Sequence, residues 1–187
     1  MNMYEFAKCV HGQAVKSGWW PEGEQKDIRE VFTMIHCEWS EAVDAYRNGC
    51  DMVTHNIQIE NKPEGIAVEL IDGCIRVLDW IGASGEIDRQ EKMMLSNMGE
   101  QDERRALGLY KNAVEMSLPV LVCELHENLT FIRANTVDYG RKCHGAMLLI
   151  CIVFGWLRAR GVDPEAVMLE KHAYNRTRAF RHGGKLC

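Results

Sequence analysis

Apolar residues recur along most of this chain at spacings of three and four, the period of an α-helix. Little of it alternates with the period of two that marks a half-buried strand. The spacing predicts a first helix over 3–17, ended by Gly18. A second runs from Lys26 to Asn48 and stops at Gly49, with Ile28, Val31, Phe32, Ile35, Trp39, Val43 and Tyr46 on its apolar stripe. Residues 50–62 read as a polar loop. A third helix runs from Glu64 to Ala83, with Gly85 after it, and a shorter one follows Asp88. Ser117-Leu118-Pro119 opens a helix to Ala134, and another spans Asp138 to Arg160 before Gly161. Asp163-Pro164 has the form of an N-cap with proline at the first helical position, opening a last helix that carries Lys171 and Asn175. The tail from His182 to Lys185 reads as a loop. Pro21, Pro63, Pro119 and Pro164 each precede or open a helical segment. The expected fold class is all-α, a single domain over 1–187.

Composition narrows the partners. With 47% hydrophobic and 26% charged residues in 187, the chain has the balance of a folded globular domain, which excludes disorder over most of its length. A net charge of −5 disfavours a nucleic acid polymer as partner, because neutralising many phosphates needs an excess of Lys and Arg. A small anion gripped by a few placed cations remains compatible. The longest apolar run, Ala146 to Leu157, is shorter than the roughly 20 residues a bilayer span needs, so it reads as a buried core helix and no membrane is expected. No basic-then-apolar leader follows Met1, and none of the 8 cysteines forms a C-x-x-C pair. A reduced, cytoplasmic protein without a zinc ribbon is the expectation.

Two carboxylate pairs are the main chemical signal. Glu38 and Glu41 lie three apart on the second helix, Glu69 and Asp72 three apart on the third, so each pair shares a helical face. A single pair of this kind usually belongs to a solvated surface. Here both sit among apolar neighbours, Ile35, Trp39 and Val43 around the first, Ile66, Leu70, Ile71 and Ile75 around the second. Buried there, the acids need a counter-charge. If the two helices pack face to face, all four meet, and hard oxygen donors of this kind favour Mg²⁺ or Mn²⁺. Asp44 is either a further ligand or a solvated helix end. Asp79 is expected to support the site or to pair with Arg76. Opposite charge comes from the C-terminal side, where Lys171, Asn175 and Arg178 are spaced along one helix with Arg176, Arg181 and Lys185 close by. They read as a grip on phosphate oxygens, or as a basic helix end facing its dipole. His11, Trp19 and Trp20 form a small aromatic group, suited to packing or to stacking a base.

The chain also carries a faint internal duplication. Cys37-Glu38-Trp39-Ser40-Glu41 is echoed by Cys123-Glu124-Leu125-His126-Glu127, and Trp80 to Asp88 by Trp156 to Asp163. The division gives repeats over 1–96 and 97–187, the first holding the acids and the second the cations. Set against one another, the copies place Gly145 opposite Glu69, Leu148 opposite Asp72, Ser96 opposite Lys171 and Glu100 opposite Asn175. Each half has lost what the other keeps. A plain inserted helical hairpin over 97–162 is the rival.

Taken in order, Gly18-Trp19-Trp20, Ile35 to Ala42, Lys62 to Asp72, Lys171 to Arg178 and His182 to Lys185 resemble the MazG-like nucleoside triphosphate pyrophosphohydrolases of the all-α NTP pyrophosphatase superfamily. The resemblance covers 11–88 and 163–187. It implies a MazG-like helical bundle and Mg²⁺-dependent hydrolysis of a (deoxy)nucleoside triphosphate to the monophosphate and pyrophosphate, as nucleotide-pool house-cleaning. It further implies Glu38, Glu41, Glu69 and Asp72 as catalytic metal ligands; on chemical grounds one of the four can instead orient the attacking water as base, and Glu41 is the choice. Lys171, Asn175 and Arg178 become phosphate and sugar contacts, and His11 and Trp20 the base pocket. The intervening 97–162 departs from the family pattern and allows either a homodimer or a pseudo-dimeric monomer. A di-iron bundle is disfavoured by the lack of Glu-x-x-His, and a P-loop NTPase by the lack of its glycine motif. The remaining alternative is a non-catalytic bundle that senses nucleotide or binds protein.

Overall fold

The computed structural model describes residues 2–20, 26–85, 111–135 and 138–184. Its long elements are helices: α1 (Met3–Lys16), α2 (Ile28–Arg47), α3 (Ile66–Ala83), α4 (Leu118–Asn135), α5 (Tyr139–Arg158) and α6 (Pro164–Thr177), with a short turn α7 (Arg181–Gly184). The all-α class holds, and the long helices start and stop close to where spacing puts them. Side-chain caps explain most starts. Asn2 accepts from the amides of Tyr4 and Glu5, Asp27 from Arg29, Asp138 from Arg141, and Asp163 from Glu165 and Ala166. The segment after Asp88 lies outside the described residues, as do Pro21 and Lys185.

Two expectations change. The loop over 50–62 contains a small antiparallel hairpin, β1 (Thr54–Asn56) and β2 (Lys62–Glu64), with Thr54 opposite Glu64 and Asn56 opposite Lys62. Strands of 3 residues are too short to show an alternating pattern. Pro63 therefore sits inside a strand rather than at a helix start, tolerated because this sheet has only 2 strands. Arg181–Gly184 is likewise a helical turn rather than loop.

The α3 helix is the axis of the molecule. It packs against α1, α2, α5 and α6 and is buried on nearly every side, from Ile66 to Ile81. It has no side-chain N-cap. Instead the amides of Ile66 and Ala67 donate to the carbonyls of Asp51 and Met52, so the loop that carries the hairpin also caps the helix. Gly73 lets α2 come close: a Cβ there would stand 2.2 Å from Trp39 Nε1. Trp39 itself is fully buried.

On α5, the run from Ala146 to Leu157 is core as expected. That helix is long and apolar enough to cross a membrane by length and composition alone, yet 67% of its most apolar stretch is buried inside the bundle. Trp80 on α3 donates from Nε1 to the Tyr139 hydroxyl at 2.8 Å, joining α3 to α5.

Candidate functional site

A cavity of about 260 Å³ opens between α1, α2, α3, the hairpin and α6. Its acidic wall comes from α2 and α3. Ligand oxygens of Glu38, Glu41 and Glu69 all lie within 4.8 Å of one another. Glu38 is buried, Glu69 half-buried and Glu41 exposed. Asp72 lines the same cavity, but its Oδ2 stands 2.8 Å from Lys171 Nζ. Thus three of the four expected acids cluster and the fourth is held by a cation.

Electrostatics shows the strain of that cluster. Burial first, and then the neighbouring Asp72 carboxylate, push Glu69 up to about 7, although Lys171 opposes this. Burial also raises Glu38, against the pull of Arg76. Arg76 Nε lies 2.5 Å from Glu38 Oε1, so it is this arginine that offsets the most buried acid. Carboxylates that must shed their charge or find a cation, with only hard oxygen donors on offer, have the donor chemistry of a divalent-cation site.

The cationic wall comes mainly from α6 and its C-terminal end. Lys171 is almost fully buried, at 2% exposure, and Asn175 and Arg178 line the cavity beside it. The Oδ1 of Asn175 is buried and accepts no hydrogen bond. A buried acceptor left without a donor is costly unless something else supplies one. Arg176 faces solvent. Arg181 is spent on the chain itself: its amide donates to Ser17 O at 2.9 Å and its Nε to Gly18 O at 3.0 Å. This contact ties the segment after α6 to the end of α1.

Other expected positions land elsewhere. Asp79 does not pair with Arg76. It accepts from Trp20 Nε1 at 2.9 Å and meets His11 Nδ1 at 2.8 Å. An offset of three on α3 puts Arg76 and Asp79 side by side, but one is turned to α2 and the other to α1. His11 and Trp20, packed edge to face with centroids 5.1 Å apart, do not line the cavity; Trp19 does. Asp44 is exposed and bonded to Asn48, a solvated helix end. Glu127 is exposed, while Glu124 accepts from Asn128 in a crevice of about 10 Å³.

Several lining residues, Gln13, Ser17 and Met34 among them, had no signal as site groups in the sequence, and Lys62 stood there only as the start of a family-like segment. Lys62 enters on β2, 2.9 Å from Glu64, and adds a third cation on the side of Lys171 and Arg178. Its direction depends on the hairpin, which the linear pattern does not display.

Compared with known proteins, the chain matches no family model, no curated protein and no solved structure.

Proposed function

We propose that this chain is a metal-dependent nucleoside triphosphate pyrophosphohydrolase with a MazG-like bundle, which converts a (deoxy)nucleoside triphosphate to the monophosphate and pyrophosphate. The observation that carries the reading is unlike charge lining one cavity: three clustered carboxylates together with Lys62, Lys171 and Arg178. A triphosphate is the kind of ligand that needs both, metal on one side of its oxygens and ammonium or guanidinium on the other.

Glu38, Glu41 and Glu69 would hold Mg²⁺ or Mn²⁺, with Asp72 joining them once Lys171 turns to a phosphate. Such an ion supplies charge neutralisation for the phosphate oxygens in an in-line displacement. The chain's own residues do the rest. Lys171 and Arg178 fix the phosphates, Lys62 neutralises the leaving pyrophosphate, and the orphaned Oδ1 of Asn175 accepts from a sugar hydroxyl. Glu41, the exposed member of the trio, takes the proton of the attacking water as the new bond to the α-phosphorus forms and the α–β bond to the departing pyrophosphate breaks. Trp19 offers a face for the base.

The two halves of the chain contribute unequally, as a decayed duplication would. Corresponding helices meet each other, α2 with α4 and α3 with α5, which is how a two-fold interface pairs its elements. Across the first contact His36 Nδ1 and His126 Nδ1 approach to 2.5 Å. The crevice that corresponds to the site holds Glu124 where the first half has Glu38, but Ile152 where the first half has Arg76. At about 10 Å³ it admits no nucleotide, so one site per chain is the reading.

The test is a panel of NTPs and dNTPs incubated with the full chain and Mg²⁺, with pyrophosphate, orthophosphate and monophosphate quantified. Pyrophosphate and monophosphate in equal amounts are expected. Orthophosphate as the product, or no turnover of any nucleotide, overturns the proposal.

A further inference from the structure

The cavity's uncharged corner is as specific as its charged one. The end of α1 and the turn after it contribute Val10, Ala14, Trp19 and two neutral polar side chains, Gln13 and Ser17. Gln13 Nε2 donates to Ser17 Oγ at 3.1 Å. That bond sorts the remaining capacity of each group: Gln13 keeps its Oε1 as an acceptor, and Ser17 keeps its hydroxyl hydrogen to donate. Neither makes another side-chain bond among the described residues. The corner is also held still. Ser17 is 7% exposed, its amide donates to Gln13 O at 2.9 Å, and its carbonyl accepts from the Arg181 amide. A fixed acceptor beside a fixed donor, next to an indole, is a reader for the edge of a flat heterocycle.

We propose that Gln13 and Ser17 select the base: Gln13 Oε1 accepts from an exocyclic amino group and Ser17 donates to the unprotonated ring nitrogen beside it. The substrate class is then a triphosphate of an amino-substituted base with that edge, as in cytosine or adenine. Uracil, thymine and guanine present the reverse order, a carbonyl oxygen next to a ring N–H. Docked in the same way, their oxygen faces Gln13 Oε1 and their N–H faces the Ser17 hydroxyl, so both contacts are mismatched. A paired donor–acceptor readout of this kind discriminates by about 10- to 100-fold. The inference rests on the pyrophosphohydrolase reading of the site and deepens it.

The experiment is kcat/KM for dCTP, dATP, dUTP, dTTP and dGTP, read as pyrophosphate release by the full chain with Mg²⁺. The ratio between bases is internal to each preparation, so partial unfolding of a variant does not alter it. dCTP or dATP is expected to exceed dUTP and dGTP by at least about 10-fold. Gln13→Leu and Ser17→Ala should each bring the ratio toward one. Equal rates for amino and keto bases in the unaltered chain overturn the base assignment while leaving the pyrophosphohydrolase reading intact. An unchanged ratio in Gln13→Leu or in Ser17→Ala also overturns it. Failure of every nucleotide to yield pyrophosphate overturns both.

Discussion

Lys171 is a lysine with almost no access to water, and its ammonium is 2.8 Å from Asp72. Removing one partner of such a pair strands the other. Lys171→Met should therefore cost about 3 kcal/mol in urea unfolding, with Asp72→Asn in the same chain recovering most of it. Pyrophosphate release should stay lost in both, since recovery of the fold does not restore the phosphate contact. Glu69 makes a second prediction. Its ordinary value is 4.5 and the folded chain pushes it up to about 7, so folding retains a proton there that the unfolded chain has released. The stability tied to that proton is complete below pH 4.5 and is lost as pH rises through 7. In metal-free urea titrations at pH 5.5 and pH 8, Glu69→Gln should gain on the unaltered chain as pH increases. Mg²⁺ should stabilise the unaltered chain at pH 8 and leave Glu69→Gln largely unmoved, and that variant should release no pyrophosphate. A gap between the two that is the same at both pH values would contradict this. The acids themselves were legible, because charge on so apolar a pair of helices is conspicuous in the linear pattern. Trp19 in place of Trp20, and Glu38 rather than Asp79 on Arg76, were not. Those choices turn on a rotation of one residue about a helix or turn axis, which spacing leaves undefined.

Among the elements, the contact of α2 with α3 decides whether the acids meet. It depends on a missing side chain, because Gly73 receives the Trp39 indole. Gly73→Ala has to displace a fully buried ring, and overpacking of this kind costs about 1–3 kcal/mol. As the helices part, the oxygens of Glu38 and Glu69 separate, so Mn²⁺ affinity measured calorimetrically should fall more steeply than the melting temperature does. A variant that loses stability but keeps full Mn²⁺ affinity would show that the acids do not need this approach. Helix positions followed from the three-and-four spacing and from the Asp163 cap, while the caps at Asn2, Asp27 and Asp138 emerged with the structure. The hairpin did not, since six paired residues carry no period, and Lys62 was hidden with it.

For the molecule as a whole, the acids and the buried lysine come from opposite ends of the chain, and the second crevice is closed. Titration with a non-hydrolysable nucleotide analogue should give one site per chain, whatever the oligomeric state; two would end the pseudo-dimer reading. Removal of 164–187 should leave a chain that has Glu38, Glu41 and Glu69 but no nucleotide affinity. The proposed duplication rests in the sequence on two echoes, Glu38 with Glu124 and Trp80 with Trp156. On that reading Gly145 and Leu148 stand where the first half has acids, whereas the small size of the second crevice, lined by Ile152, emerges only from the packed helices.

The pairing of Lys171 with Asp72 has a consequence for how the protein is made. Translation delivers α2 and α3 well before α6, and for the time it takes to synthesise α4 and α5 the nascent acids lack the ammonium that will balance one of them. During that interval repulsion works against the docking of the two earliest acidic helices, and free magnesium in the surrounding fluid is the ion at hand to relieve it. Chains emerging from ribosomes in magnesium-poor medium would then fold late, after α6 arrives, and spend longer exposed to proteases.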